Sequence, residues 1–127
     1  MSWLIAFTHT EWLEKQGDAL ALLIRYEKVP TDKVGEPGEA SLTTSGTLKV
    51  TVTRNVFRNW GFEAPDRVLE AQIVLYAFRF ACDQATSGFL EGAVELQLNS
   101  YNTAKEPAAI DLEKYYIPRA VECGKAQ

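Results

Sequence analysis

An apolar run at residues 68–82 constrains the fold more than any other part of the sequence. A helix through this run is apolar on nearly every side, which is typical of a buried helix. Pro65 suits the first turn of such a helix, and Asp66 favours its positive end. We therefore predict one long helix over residues 65–85. The polar residues of the run are Glu70, Gln72 and Arg79.

A helix with this much apolar surface needs cover on more than one side. One face of a sheet covers one side, so we expect the other to meet the short helices, the C-terminal segment or a second copy of the chain. Both self-association and burial within the chain remain open interpretations. One or two helical turns are predicted over residues 110–116, which end in the adjacent Tyr115 and Tyr116. Adjacent residues on a helix point about 100° apart, so one of these two tyrosines should lie at an edge or interface. The residues that we expect at an interface are Leu75, Phe78, Tyr115 and Tyr116.

Three segments have the alternating pattern of strands with a buried face, although the second face of the first segment begins apolar and becomes charged. They lie at residues 18–28, 47–53 and 93–99. Residues 2–7 indicate a further short strand, at an edge of the sheet. We expect 18–28 and 47–53 to pair antiparallel. The predicted fold is α+β with two layers: an antiparallel sheet of three to four strands, and the long helix packed on one face.

Shorter signals predict two more helices. Thr8 and Glu11 have the spacing of a capping box, and Gly17 suits the position after a helix end, so we predict a helix over residues 9–16. Apolar residues at helical spacing predict another helix over residues 54–60.

The length of the chain and its turn-forming residues predict how it is organised. A chain of 127 residues fits a single domain over 1–127. Residues 29–45 are rich in proline, glycine and charge, and we predict a mobile loop there. Residues 119–127 are predicted to be a frayed C-terminal tail.

Charge and hydropathy argue against several classes of protein. The net charge of -4 and the pI near 5.0 argue against nucleic acid as a partner, because such binding usually needs a basic face. No uncharged apolar stretch reaches the length of about 18 residues that a membrane span needs, so no membrane association is predicted. The N-terminus lacks the basic start of a secretory signal.

The two cysteines, Cys82 and Cys123, are too few for a disulfide framework. Their separation does not forbid a bond between them. Cys82 falls inside the apolar run, however, where a free thiol packs as a small hydrophobe. We therefore predict two free thiols and a cytoplasmic location.

No pattern of catalytic residues stands out, and we predict neither a cofactor nor a metal site. His9 is the single histidine and is far in sequence from both cysteines, whereas a structural zinc site usually needs four closely spaced ligands. Arg54 and Arg58 lie four residues apart, so they could hold a carboxylate or phosphate. Arginines at that spacing more often flank an apolar stripe. The candidate anion-binding residues are thus Arg54, Arg58 and His9.

Two main function hypotheses follow from the excess of apolar helix surface and the lack of a catalytic pattern. The first is a protein-interaction module that self-associates, most simply as a homodimer, and acts as an adaptor, inhibitor or assembly component. The alternative is a small-molecule-binding domain or enzyme with an anion-accepting pocket between sheet and helix, gated by the loop. A third hypothesis is an accessory subunit of a larger assembly.

Overall fold

A computed structural model describes residues 2–17, 19–61, 64–103 and 119–124. In these ranges five strands form one sheet in the order β4-β3-β2-β1-β5. The strands are β1 (Trp3–Gln16), β2 (Ala19–Pro30), β3 (Thr44–Val52), β4 (Ala93–Leu98) and β5 (Ala120–Cys123). The helices are a 3-10 turn (Thr31–Lys33), α1 (Glu39–Leu42), α2 (Arg54–Asn59), α3 (Asp66–Thr86) and α4 (Ser100–Thr103).

The long helix α3 confirms the central prediction, and α2 confirms the short helix predicted before it. The α+β class is confirmed too, but the described residues form a sheet of five strands rather than three to four, and the sheet is mixed rather than antiparallel. β2 pairs antiparallel with β3 as expected, whereas β3 and β4 run parallel. The reason is the connection: α3 crosses from the end of β3 back to the start of β4, and such a crossover returns the chain in the same direction.

The prediction of a helix over residues 9–16 is wrong, because this segment is the second half of β1. Its whole length pairs with β2, down to Gln16 opposite Ala19. Two irregularities in register leave Thr8 and Leu13 as extra residues on β1. Each extra residue shifts the alternation by one position, so the two-residue period of the strand is hidden in the sequence.

The strand predicted at residues 2–7 exists, but it does not lie at an edge. β5 pairs antiparallel with its outer side, placing Cys123 opposite Trp3 and Val121 opposite Ile5. The prediction of a frayed tail is therefore wrong for residues 120–123, and residues 125–127 lie outside the described part. The side chains of β5 alternate in burial, because every second residue faces the core with Ile5 and Trp3.

The prediction of free thiols is also wrong. A disulfide joins Cys82 near the end of α3 to Cys123 of β5, with the two Cα atoms 5.4 Å apart. This separation lies within the usual range for a disulfide. The prediction of a cytoplasmic location was based on two free thiols, so the disulfide removes its support.

The core lies between the sheet and α3. Its largest fully buried side chains include Leu22, Ile24 and Leu48 from the strands and Leu69 and Ile73 from the helix. Sheet and helix therefore bury their apolar faces against each other, as the sequence predicted.

The segment predicted as a mobile loop at residues 29–45 contains local structure. Val29 and Pro30 end β2, the 3-10 turn and α1 follow, and Thr44 starts β3. Within the described residues, no helix is both long enough and apolar enough to cross a membrane.

Candidate functional site

A groove of about 230 Å³ opens between α3, β4 and α4 on the helical side of the sheet. Four of its side chains come from α3 at spacings of three and four residues, so they share one helix face. Two come from alternate positions of β4, and α4 closes one end. The lining residues are Tyr76, Arg79, Phe80, Asp83, Leu96, Leu98, Tyr101 and Asn102.

Tyr76 is held on this face of α3 from two directions. Its ring stacks on Trp60, with centroids 5.6 Å apart and planes 10° from parallel. Its hydroxyl donates a hydrogen bond to the Thr103 carbonyl at 3.1 Å. Burial raises the pKa of the Tyr76 hydroxyl above its usual value, so Tyr76 is neutral at ordinary pH. The groove therefore has an uncharged aromatic wall.

The outer edge of β4 lies beside this groove. The Thr47 amide donates to the Gly92 carbonyl at 2.9 Å, and the Thr53 amide donates to the Leu98 carbonyl at 3.0 Å. In a parallel ladder this pattern means that every second residue from Gly92 to Leu98 directs its backbone N–H and C=O groups toward β3. The groups of the intervening residues then point to the outer edge. Those residues are Ala93, Glu95 and Gln97.

The beginning of β4 is fixed by a tyrosine that crosses β3. Tyr26 of β2 lies opposite Gly46 of β3, and its hydroxyl donates to the Gly92 carbonyl at 3.0 Å. A Cβ atom on Gly46 would collide with both the Tyr26 hydroxyl and that carbonyl. Glycine is therefore required at this position. Burial raises the pKa of Tyr26 above its ordinary value, and the negative charge of the nearby Glu91 carboxylate raises it further. The hydroxyl therefore keeps the proton that it donates.

The end of β4 is fixed by two asparagines. The Asn99 side-chain oxygen accepts hydrogen bonds from the amides of Tyr101 and Asn102, which starts α4. The Asn102 side-chain amide donates to the Gln97 carbonyl at 2.8 Å. That carbonyl is one of the outward-pointing groups, and a carbonyl oxygen can accept a second hydrogen bond because it has two lone pairs. Among the described residues, no strand pairs with this edge.

Two exposed aromatic side chains flank the edge. Phe89, four residues before β4, is 70% exposed, and Tyr101 in α4 is 76% exposed. Large apolar side chains of this kind are enriched where proteins bind one another. One exposed aromatic residue thus precedes the edge strand along the chain and another follows it.

The structure does not bring the predicted anion-binding residues together. His9 lies in β1 opposite Arg25, on the face of the sheet away from α3. Arg54 and Arg58 are exposed on α2, which packs on the helical side. None of the three lines the groove. Anion binding by the arginine pair stays a prediction.

The residues predicted at an interface also separate. Phe78 is 4% exposed and stacks on Phe7, with ring centroids 3.8 Å apart, so it packs within its own chain. Leu75 is 47% exposed, and its role at an interface stays a prediction. Tyr115 and Tyr116 lie outside the described residues.

Sequence reasoning missed the groove and the open edge. The alternation at residues 93–99 predicted the strand, but only the order of strands in the sheet shows that β4 is outermost. In the described ranges, no group of three or more His, Cys, Asp or Glu residues is arranged to hold a metal ion. Comparisons with protein-family models, curated proteins and solved structures found no match.

Proposed function

We propose that this protein is an interaction module, an adaptor or assembly component, that binds an extended polypeptide strand along the outer edge of β4. The observation that carries the proposal is the outward direction of the backbone groups of Ala93, Glu95 and Gln97. A strand added to such an edge gains main-chain hydrogen bonds along its length.

The adjoining groove supports this mode of binding. Leu96 and Leu98 line the groove from the same face of β4. A bound strand would place every second side chain beside them, because strand side chains alternate between faces. We therefore expect a partner segment with apolar residues at alternate positions.

The size of the groove favours a polypeptide over a small molecule. Its volume of about 230 Å³ lies below the range of roughly 300–1,000 Å³ that is typical of small-molecule sites. The space between the centres of α3 and the sheet is filled by core side chains such as Leu69 and Ile24. The groove lies between α3 and β4 but is not lined by Arg54, Arg58 or His9, so the predicted anion-accepting pocket between sheet and helix stays a prediction.

A labelled synthetic peptide tests the proposal. An acetylated and amidated peptide of alternating valine and threonine is titrated with the protein, and binding is followed by fluorescence anisotropy. The control peptide has the same sequence with every backbone nitrogen methylated, which removes its N–H donors. We expect binding of the first peptide only, with NMR shift changes at the amides of Glu95 and Gln97.

A pair of variants gives a second control. Gln97→Pro removes an outward N–H and leaves the inward ladder to β3 intact, whereas Gln97→Ala keeps that N–H. We expect the proline variant to bind the peptide at least tenfold more weakly than the alanine variant, since it loses one backbone hydrogen bond and cannot fit an incoming strand closely. Equal binding of both peptides, or by both variants, would overturn the proposal.

A further inference from the structure

We infer that the strand bound by β4 is the β4 strand of a second copy of the chain, paired antiparallel about a two-fold axis at Leu96. This inference rests on the proposed function and names its partner. The argument depends on which registers such a pairing allows.

The direction of the backbone groups limits the register. In an antiparallel pair, only residues with outward N–H and C=O groups can exchange hydrogen bonds. Those residues are Ala93, Glu95 and Gln97, so odd-numbered residues must lie opposite odd-numbered residues. Pairing of this kind also keeps the groove faces of both copies on the same side of the joined sheet.

Charge then separates the two registers that keep most of β4 paired. A register centred on Glu95 places two carboxylates directly opposite each other, which is destabilising. A register centred on Leu96 places Glu95 opposite Gln97 of the second copy, so a carboxylate meets an amide donor. This second register is therefore favoured.

The favoured register also matches the apolar side chains. On the groove face it places Leu96 opposite Leu96 of the second copy, and Val94 opposite Leu98. Leu96 is already buried, at 9% exposure, whereas Val94 is half-buried, so the pairing would mainly cover Val94. Cross-strand apolar pairs of this kind stabilise a sheet.

The two-fold axis accounts for the exposed aromatic residues as well. Phe89 precedes β4 and Tyr101 follows it, so they lie at opposite ends of the strand. An antiparallel arrangement brings Phe89 of one copy to the same end as Tyr101 of the other. Each end of the paired β4 strands thus carries Phe89 of one copy and Tyr101 of the other.

Charge substitutions at Gln97 test the register. Gln97 is exposed and lies on the face away from the core, so its substitution leaves the packing unchanged. Gln97→Glu places a carboxylate opposite Glu95 of the second copy, and Gln97→Lys places an ammonium group there. Because the axis doubles each contact, we expect the dimer Kd by sedimentation to rise roughly tenfold in the first variant and to fall several-fold in the second. Leu75→Glu, on exposed helix surface, is the control and should leave the Kd unchanged.

Cysteine cross-linking reads the register directly. Under oxidising conditions a mixture of Glu95→Cys and Gln97→Cys chains should form a covalent dimer, whereas neither variant alone should. Cross-linking of Glu95→Cys alone, or a dimer that Leu75→Glu dissociates, would overturn the inference. A chain that stays monomeric at all concentrations while binding the valine–threonine peptide would overturn it too, but would leave the proposed function standing.

Discussion

The two outer edges of the sheet differ in how far they are protected. The outer side of β1 is covered at Trp3–Ala6 by β5, and β5 is tied to α3 by the disulfide. The rest of β1 carries the extra residues Thr8 and Leu13. β4, at the other edge, pairs with β3 along its whole length without an irregularity.

This difference supports the proposal that β4 is the edge that binds another strand. Irregularities and covering strands are common devices that keep sheet edges from joining other chains. One edge of this sheet has both devices. The other has one capping hydrogen bond, from Asn102 to the Gln97 carbonyl, and is otherwise regular. An edge that stays regular keeps the geometry that an incoming strand needs.

Removal of the disulfide should cause the largest loss of stability, and the loss should be concentrated at the β5 edge. Cys82→Ala with Cys123→Ala removes a cross-link between residues 41 apart, which corresponds to about 4 kcal/mol of unfolding free energy by loop-closure entropy. We expect chemical denaturation to show this loss. Amide exchange at Phe7, which donates to the Arg119 carbonyl, should accelerate, whereas exchange at Thr53, which donates to β4, should change less.

The wild-type protein treated with a dithiol reductant is the matched control for the double variant and should behave in the same way. An unfolding free energy that does not change, or equal acceleration at Phe7 and Thr53, would contradict the idea that the disulfide holds the β5 edge.

Gly46→Ala should have the next largest effect, at the opposite edge. The added methyl group would collide with the Tyr26 hydroxyl and the Gly92 carbonyl, so the start of β4 must shift. We expect a loss of about 1–3 kcal/mol in thermal or chemical unfolding, as for other overpacked sites. Ser45→Ala is the control, because Ser45 is the exposed neighbour of Gly46 on the other face. Equal stability of the two variants would show that Tyr26 does not fix β4.

Alkaline pH should weaken the β4 side. The pKa values of Tyr26 and Tyr76 are raised by burial, so the folded protein keeps protons that the unfolded chain loses. Their contribution is complete below pH 10.0, the ordinary value, and is lost as pH rises through the folded pKa values. We expect the unfolding free energy to fall above that pH, and to fall less steeply in Tyr26→Phe. An identical slope in the variant would count against this origin.

Loss of the ion pair between Lys15 and Asp66 should have the smallest effect on the unfolding free energy. The pair joins the far end of β1 to the start of α3, and both side chains are partly exposed. Exposed pairs contribute roughly 0–1 kcal/mol and are screened by salt. Lys15→Ala and Asp66→Ala, measured singly and together in low and high salt, should show a small coupling that disappears in high salt. A coupling unaffected by salt would indicate a stronger contact than expected.

The elements that the sequence predicts correctly are those whose pattern is local. The apolar run predicts α3, strict alternation predicts β3, and β2 is predicted from one apolar face and a second face that turns from apolar to charged. The second half of β1 was missed because Thr8 and Leu13 interrupt the alternation, while Thr8 and Glu11 imitate a capping box. Pairing with β2 outweighs that local signal, because it satisfies backbone groups along the whole strand.

The candidate site depends on relations that a sequence does not display. That β4 is outermost follows from the crossover through α3 and from the order of the strands. The disulfide was missed because Cys123 lies in a short strand whose only signal is the alternation of Val121 and Cys123 with Ala120 and Glu122. A four-residue pattern of this kind occurs by chance in many chain ends.

The disulfide also closes a covalent ring that contains β4 and α4, whereas β1, β2 and β3 lie outside it. A protease that cuts one peptide bond between residues 83 and 122 would therefore leave a single molecule, and the two pieces would separate only after reduction. A nicked protein would migrate as intact on a non-reducing gel and as two fragments on a reducing one. β4 is thus attached to the rest of the molecule at both of its ends.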